Sequence, residues 1–250
     1  MRLKDVISNM RNSQVDFIQE YRNVLDNDMC NFFINKFKKL DKSGEVKSGR
    51  VNNVTDGEYI TEVNKFAKNS KDVFLSSKDD DETFNMDKNK TDKEMFSKLA
   101  DIFNKHIYLY CLHTGVESPL HFGINKQNFS TFFKDKKDCP EISSNITVDS
   151  ICLRKYEKNE GGYYWPHYDA KSSIYRLLAA IIYLNDVEYG GETEFPVLKR
   201  MVVPKRGNLV IFPANFNYWH YGRSSTSDKY ILITHVSKYP EVKKNNKEKE

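Results

Sequence analysis

Cysteine, tryptophan and proline are all scarce in this chain of 250 residues, which contains 4 Cys, 2 Trp and 7 Pro. The cysteines are Cys30, Cys111, Cys139 and Cys152, which stand far apart and form no Cys-x-x-Cys motif. This spacing argues against a disulfide scaffold and against a cysteine-based zinc site. It indicates reduced thiols in a cytoplasmic protein.

A long hydrophobic run is also absent. No stretch of about eighteen apolar residues occurs, so the sequence predicts neither a membrane-spanning helix nor a membrane partner. The first residues, Met1 to Asp5, lack the apolar segment of a signal peptide. These features predict a cytoplasmic location. The abundance of lysine and asparagine fits an AT-rich genome, including a viral one, on composition alone.

Neither sign of charge dominates the sequence. There are 39 Lys and Arg against 35 Asp and Glu, which gives a formal net charge of +4. The two signs are mixed along the chain, and no basic face predicts a nucleic-acid partner. The length fits one large domain or one domain with a helical extension. Oligomeric state does not follow from any of these features.

The N-terminal part of the chain has mainly helical periodicity. Apolar residues recur at helical spacing over residues 14–40, where Asp26 could cap a second helix, and again over residues 93–112. The polar segment 126–147 reads as a mobile connection. We therefore predict that residues 1–147 form a helical support region packed on the core.

From residue 148 onward the sequence changes to short apolar segments separated by glycine- and proline-containing turns. No room remains for the crossover helices of a parallel sheet, so the pattern predicts an antiparallel double-sheet jelly roll over residues 148–240. The charged residues 241–250 form a predicted tail. The expected fold class is α+β, a double-stranded β-helix (jelly roll) core with helical N-terminal support. The predicted strands are 150–156, 163–168, 176–184, 193–195, 201–203, 208–212, 218–221 and 230–236.

Two histidines and one aspartate in this region form a candidate metal site. His167 and Asp169 are two residues apart on an extended segment, so their side chains point to the same side. A later imidazole, His220, could close one face of an octahedral ion and leave three positions open. This donor set is typical of non-haem Fe(II) oxygen chemistry. A His-x-Asp pair alone arises by chance in an acid-rich chain with 6 histidines, so the surrounding motifs must decide.

Those motifs occur in a characteristic order. The order resembles the catalytic core of the 2-oxoglutarate- and Fe(II)-dependent dioxygenases, in particular the prolyl 4-hydroxylase-like group. The resemblance covers residues 150–238, and the N-terminal half agrees only in being helical. The matching pieces are Leu153-Arg154-Lys155-Tyr156, His167-Tyr168-Asp169, Arg176, Tyr183-Leu184-Asn185-Asp186, Gly190-Gly191-Glu192-Thr193-Glu194-Phe195-Pro196, His220 and Lys229.

The resemblance implies a set of cofactors and the residues that bind them. His167, Asp169 and His220 would bind Fe(II), with 2-oxoglutarate as co-substrate, O2 as oxidant and ascorbate as a possible further cofactor. Lys229 would pair with the far carboxylate of 2-oxoglutarate, although a lysine at this position is otherwise typical of a surface loop. A neighbouring hydroxyl, from Tyr156 or Thr193, would complete its hydrogen bonds.

Three residues, Arg176, Tyr164 and Trp165, are candidates for contacts with the substrate. Arg176 begins an apolar run and either extends from a strand end to solvent or lines the cavity mouth and faces a bound peptide. Tyr164 and Trp165 could contribute to an aromatic wall for a peptide, whereas strand aromatics are often ordinary packing. The family's tryptophan just beyond the lysine is replaced by residues 230–233, and Ala179 stands where relatives often carry threonine.

The expected function is therefore an Fe(II)- and 2-oxoglutarate-dependent dioxygenase that hydroxylates a C–H bond, with peptidyl proline as the substrate implied by the family. A lysyl residue, a free amino acid or a nucleobase are alternative substrates for the same chemistry. A catalytically silent jelly-roll binding module is the alternative from another class. It would be favoured by loss of a metal ligand or of the Lys229 cation, and neither is lost here.

Overall fold

The computed structural model describes residues 16–55, 58–77, 83–115, 146–171 and 173–238. Its helices are α1 (Asn27–Lys42) and α2 (Lys90–Thr114). The strands of the N-terminal part are β1 (Gln19–Tyr21), β2 (Lys47–Ser48), β3 (Val51–Thr55), β4 (Glu58–Glu62), β5 (Lys68–Asn69), β6 (Lys71–Ser76) and β7 (Thr83–Asn85). Those of the C-terminal part are β8 (Ile146–Val148), β9 (Ile151–Tyr156), β10 (Gly162–His167), β11 (Arg176–Tyr183), β12 (Thr193–Phe195), β13 (Arg200–Val202), β14 (Leu209–Pro213), β15 (His220–Gly222) and β16 (Lys229–Lys238).

The larger sheet has nine strands, with the main order β1-β14-β11-β16-β9-β6-β2. Strand β8 also pairs with β16, and β7 pairs in parallel with β6. Alternate residues of its central strands point to opposite faces. One face packs against helix residues such as Phe33 and Phe103, and the other face turns towards the second sheet.

The smaller sheet has five strands in the order β13-β12-β15-β10-β5. The two sheets pack face to face around a second apolar cluster that includes Tyr183, Phe195 and Phe212. Towards the β10 and β15 end, this interior gives way to a cavity of about 750 Å³. The hairpin of β3 and β4 contributes Asn52 and Thr61 to the cavity wall. This double-sheet arrangement confirms the predicted jelly roll.

Most of the predicted elements are found close to their expected bounds. Each of the eight predicted C-terminal strands has a counterpart among β9 to β16. Helix α1 begins after Asp26, whose carboxylate accepts a hydrogen bond from the Met29 amide at 2.8 Å. The prediction of helix from residue 14 onward is wrong around Tyr21, because β1 pairs with β14 and places Tyr21 opposite Leu209. Pairing with the sheet outweighs the helical spacing of its apolar residues.

The N-terminal part contributes more than helices. Strand β5 joins the smaller sheet and strand β6 joins the larger one, so this part builds one end of the jelly roll. The boundary between 147 and 148 stays a prediction. The polar connection 126–147 lies outside the described residues except for its last two positions, and the tail 241–250 lies outside them entirely. Within the described ranges, neither helix has the length and apolarity to cross a bilayer. The cytoplasmic location stays a prediction.

We predict that the contact between α2 and the larger sheet is a main source of stability. Phe103 on α2 is fully buried, whereas Phe66 is 89% exposed. Phe103→Ala should lower the free energy of unfolding by about 3–5 kcal/mol, because it removes a buried ring and leaves a cavity. Phe66→Ala, the same substitution at the surface, should change it by less than about 0.5 kcal/mol. Urea unfolding of both variants measures the difference, and equal losses would contradict the described packing.

Candidate metal centre

Three side chains from separate elements converge at the mouth of the cavity. His167 ends β10, Asp169 follows in a short 3-10 turn, and His220 begins β15, which pairs with β10 and places the two histidines opposite each other. Their ligand atoms lie within 4.8 Å of one another. Asp169 Oδ1 is 3.9 Å from His167 Nε2, and Asp169 Oδ2 is 3.7 Å from His220 Nε2. The structure thus brings the predicted triad together.

The hydrogen bonds of both imidazoles leave Nε2 available to a metal ion. His167 Nδ1 lies 3.0 Å from the carbonyl oxygen of Trp165, and His220 Nδ1 lies 3.0 Å from that of Tyr218. A carbonyl oxygen only accepts, so each Nδ1 carries the proton and donates it. With the proton on Nδ1, the lone pair of Nε2 can bind a metal ion, which is the arrangement found in metal-binding histidines.

The aspartate offers one oxygen to a metal and uses the other within the protein. Asp169 Oδ1 lies 3.2 Å from Nε2 of His235, on the neighbouring strand β16. Asp169 Oδ2 is buried and has no hydrogen-bond partner among the described residues. A buried carboxylate oxygen without a donor is unfavourable unless a cation accompanies it. The donor set and this unpaired oxygen both fit a divalent ion.

Electrostatics at the triad favour the metal-binding protonation states. Burial and, to a smaller extent, the nearby His220 lower the pKa of His167 to about 3. Burial alone would raise the pKa of Asp169, but His235 and His220 outweigh it and hold this pKa well below its usual range. The carboxylate is therefore ionised and the His167 ring is neutral at neutral pH. A divalent cation needs ligands in these two forms.

The cavity also contains the predicted cofactor-binding residues Lys229, Tyr156 and Thr193. Lys229 is buried at the start of β16, and its Nζ donates to the carbonyl oxygen of Gly191 at 2.6 Å. Gly191 has φ +73°, a conformation that favours glycine, and a Cβ there would lie 3.4 Å from Lys229 Cδ. Burial lowers the pKa of Lys229 to about 7. Lys229 is therefore a buried amine rather than a surface lysine.

Two tyrosine rings lie close to this amine. Tyr156 lies opposite Lys229 in the pairing of β9 with β16, with its ring centroid 5.2 Å from the lysine Nζ. The Thr193 hydroxyl is 2.8 Å from the hydroxyl of Tyr183. The Tyr183 ring centroid is 5.7 Å from Lys229 Nζ. Sequence analysis assigned no role to Tyr183, although it lies within a quoted motif.

The predicted substrate residues are placed differently from one another. Arg176 lines the cavity, and its Nη1 donates to the backbone oxygen of Asp169 at 3.3 Å. Trp165 is 51% exposed and Tyr164 is partly buried, and neither belongs to the cavity wall. The Tyr164 hydroxyl instead donates to the backbone oxygen of Glu160. The ring that does line the cavity is Tyr163, which stacks on His167 at a centroid distance of 3.6 Å.

Several polar residues of the cavity wall receive no functional role from the sequence. They include His235, Lys68, Asp72 and Arg154. The position of His235 in strand register was the available signal, since it is separated from Lys229 by an even number of residues and shares its face. No local pattern distinguishes Lys68 or Asp72 from the many other charged residues in the N-terminal part.

The part of the chain that contains the site matches a family model. Residues 151–237 match the model of the 2OG-Fe(II) oxygenase superfamily. The matched range contains the triad, Lys229 and His235. This segment, which is about a third of the chain, is therefore similar to the superfamily's members. These members use Fe(II) and 2-oxoglutarate, so this oxygenase is a 2-oxoglutarate-dependent dioxygenase, as predicted. No curated protein sequence matches the chain.

Solved structures of prolyl hydroxylases share the fold of this oxygenase. A prolyl hydroxylase from Trichoplax adhaerens, in complex with a hypoxia inducible factor oxygen degradation domain peptide fragment, aligns with a TM-score of 0.60 and 13% identity, covering 95% of this chain and 94% of that one. A prolyl-4-hydroxylase from Pseudomonas putida aligns with a TM-score of 0.51 and 15% identity over 95% and 99% of the two chains. The viral collagen prolyl hydroxylase from Paramecium Bursaria Chlorella virus-1 aligns with a TM-score of 0.50 and 15% identity, covering 90% of this chain and 91% of that one. At these identities, the likeness concerns the fold alone.

We predict that the triad binds one divalent metal ion. His167→Ala, Asp169→Ala and His220→Ala should each weaken Fe(II) or Mn(II) binding by more than the roughly 10- to 100-fold that loss of an outer hydrogen-bond partner costs, because each removes a direct ligand. His113→Ala is the matched control, since this exposed histidine stacks on Tyr21 away from the site. Anaerobic calorimetric titration with Mn(II) measures the affinity. Parent-like affinity in Asp169→Ala would disprove the assignment.

Proposed function

We propose that this oxygenase hydroxylates a peptidyl proline, with Fe(II) held by His167, Asp169 and His220 and 2-oxoglutarate held by Lys229. The observation that carries the proposal is the convergence of three ligand atoms within 4.8 Å at the mouth of a cavity that also contains a buried amine. Bound Fe(II) and 2-oxoglutarate would allow O2 to hydroxylate a C–H bond, with one oxygen atom entering the product and the other entering succinate, which forms from 2-oxoglutarate together with carbon dioxide.

The protein residues position these components and keep their charges matched. The carbonyl oxygens of Trp165 and Tyr218 hold each imidazole in the tautomer that presents Nε2. His235 Nε2 lies 3.2 Å from Asp169 Oδ1, while Asp169 Oδ2 has no hydrogen-bond partner among the described residues and is available to the metal. The ring of Tyr163 stacks on the face of the His167 imidazole and restricts its rotation. A ligand set restrained in this way does not need to reorganise when the ion binds.

Lys229 provides the charge that a buried carboxylate needs. Its Nζ donates to the backbone oxygen of Gly191 and can make further hydrogen bonds, because an ammonium has three protons. A carboxylate at this position could also accept hydrogen bonds from the hydroxyls of Thr193 and Tyr183, or of Tyr156 on the opposite strand. These groups would replace the water that the carboxylate loses.

The shape of the cavity favours an extended polypeptide over a small metabolite. The cavity of about 750 Å³ extends from Lys229 to the hairpin of β3 and β4. Arg176 lies in its wall and can donate to a peptide carbonyl. The Trichoplax adhaerens prolyl hydroxylase of similar fold was solved with a peptide fragment. A proline residue suits such a site because its chain is already extended and loses little entropy on binding.

We predict that Lys229 determines the affinity for 2-oxoglutarate. Lys229→Ala should weaken it by more than about tenfold, since loss of one partner from a buried charge pair costs about 2–5 kcal/mol. Lys229→Arg should recover part of the affinity. Calorimetric titration of the Mn(II)-loaded protein without oxygen measures the dissociation constant. Lys205→Ala, at an exposed loop position, is the control and should bind as the parent does.

The same measurement should depend on pH with a defined sign. The pKa of Lys229 lies at about 7 in the free protein, so the amine loses its proton as the pH rises through this value. The carboxylate binds the protonated form, and the affinity of the parent should therefore fall from about pH 6 to about pH 9. Lys229→Arg should show no such fall, because the guanidinium stays charged. An identical pH profile in both proteins would contradict this role of Lys229.

We predict that proline-containing peptides stimulate conversion of 2-oxoglutarate to succinate and gain one oxygen atom in mass. Arg176→Ala should raise the peptide KM more than it changes peptide-independent turnover, because it removes a donor to the peptide and leaves the metal ligands in place. Succinate analysis and peptide mass spectrometry measure the two quantities. Stimulation by lysyl peptides without proline, free amino acids or oligonucleotides alone would reject the prolyl substrate. Absence of any turnover with a bound metal would favour a silent binding module.

A further inference from the structure

A buried cluster of three charged side chains lies in the wall of the metal cavity. Lys68, Asp72 and Arg154 are 3%, 6% and 9% exposed, respectively. Lys68 Nζ donates to Asp72 Oδ2 at 2.8 Å. Arg154 donates to the same carboxylate through Nε at 2.7 Å and Nη2 at 2.8 Å, from the neighbouring strand β9. One carboxylate therefore serves two cations.

No second anion balances the cluster among the described residues. Asp72 is the carboxylate whose charge acts on both Lys68 and Arg154. The adjacent Cys152 thiol is neutral, since burial raises its pKa to about 12. Burial likewise raises the pKa of the Tyr156 hydroxyl. The cluster thus contains one cation in excess, and burial together with Arg154 lowers the pKa of Lys68.

The cavity wall as a whole also has more basic than acidic side chains, and two of the basic ones, Lys47 and Arg50, are exposed. Six basic side chains face four acidic ones. The opposite charges of Fe(II) and 2-oxoglutarate cancel, so these two components do not correct it. A buried cation without a counter-ion is destabilising, and an anionic ligand would remove the imbalance. The basic residues are Lys47, Arg50, Lys68, Arg154, Arg176 and Lys229.

Both cations retain hydrogen-bonding capacity. Arg154 Nη1 makes only a long contact of 3.5 Å with the Tyr156 hydroxyl. Lys68 Nζ has a weak second acceptor in the backbone oxygen of Arg50, at 3.3 Å. The segment around Gly49 passes so close to Lys68 that a Cβ there would lie 2.9 Å from Lys68 Cε. The amine is therefore held in place while one of its protons remains available.

The ring of Tyr163 links the cluster to the metal ligand His167. Lys68 Nζ is 5.7 Å from the centroid of the Tyr163 ring, and His167 stacks on that ring at 3.6 Å. In an extended peptide, side chains two residues apart point to the same side and are separated by about 7 Å. An acidic side chain two residues from the oxidised residue could therefore reach Lys68 and Arg154.

We propose that Lys68 and Arg154 form a carboxylate-binding subsite that selects peptide substrates with an aspartate or glutamate close to the hydroxylated residue. This inference rests on the proposed function insofar as it takes the substrate to be a peptide. It assigns the far carboxylate of 2-oxoglutarate to Lys229 and a substrate carboxylate to the cluster. The proposed division gives each of the two anions a separate buried cation.

Peptide binding tests the subsite without depending on turnover. Amidated peptides are titrated into the Mn(II)- and 2-oxoglutarate-loaded protein without oxygen, with aspartate or asparagine two residues before and, in a second set, two residues after the central position. In the set with the preferred spacing, we expect the aspartate peptide to bind at least tenfold more tightly than the asparagine peptide. Peptides with a free C-terminal carboxylate are titrated as well, to detect binding of a main-chain carboxylate. Equal affinities for aspartate and asparagine peptides in both sets would overturn the proposal.

The substitution Lys68→Met removes the excess cation and leaves the Arg154–Asp72 pair intact. We expect this variant to unfold at the same urea concentration as the parent or a higher one, to lose the preference for aspartate, and to keep its affinity for 2-oxoglutarate. A retained preference for aspartate would overturn the subsite. Weakened 2-oxoglutarate binding would also overturn it, because the cluster would then belong to the co-substrate pocket.

Two series of peptides, one with proline and one with alanine at the central position, separate this proposal from the proposed function. Preference for aspartate in both series, with no hydroxylation of proline, supports the subsite and rejects the prolyl substrate. Hydroxylation of proline without any preference for aspartate supports the prolyl substrate and rejects the subsite. The comparison of aspartate and asparagine in the parent protein does not require a variant, so it decides the question even if Lys68→Met does not fold.

Discussion

The pairing of β16 with β11 on one side and β9 on the other is the interaction on which the site depends. Every second residue of β16 faces the cavity, which places Lys229, Ile231, Ile233 and His235 in one row. The alternate residues, such as Leu232, pack towards the helices on the opposite face. A slip of one residue would exchange these faces and bury the charged groups in the helix contact. Register along this strand therefore controls core packing and chemistry together.

The residues that sequence analysis predicted correctly are those whose signal is local or periodic. The C-terminal strands are short apolar segments between glycine- and proline-containing turns, and His167 and Asp169 lie within one short segment. The assignment of Tyr21 to a helix failed because a helical spacing of apolar residues does not reveal pairing with the distant Leu209. Long-range pairing of this kind has no trace in the local sequence, and it outweighs intrinsic propensity.

The same reasoning explains which parts of the cavity wall remained unrecognised. Lys68 and Arg154 meet only because β6 brings Asp72 between them. In sequence they resemble any of the charged residues that make up 30% of the chain. His235 carried a weak signal, since its strand register places it on the cavity face. Trp165 is 51% exposed and lies outside the cavity wall, and its role in substrate binding stays a prediction.

The insertion of β5 and β6 at the end of both sheets has an evolutionary consequence. The metal ligands and the buried amine all come from residues after 150, whereas Lys68 and Asp72 come from the preceding segment. The metal ligands and part of the charge of the adjoining wall are thus encoded in separate stretches of the gene, while Arg154 of the same wall is encoded with the ligands. Drift in the earlier stretch could change which partners are accepted without disturbing the reaction itself. In this architecture, substrate specificity can change through substitutions in one segment while the catalytic framework stays constant.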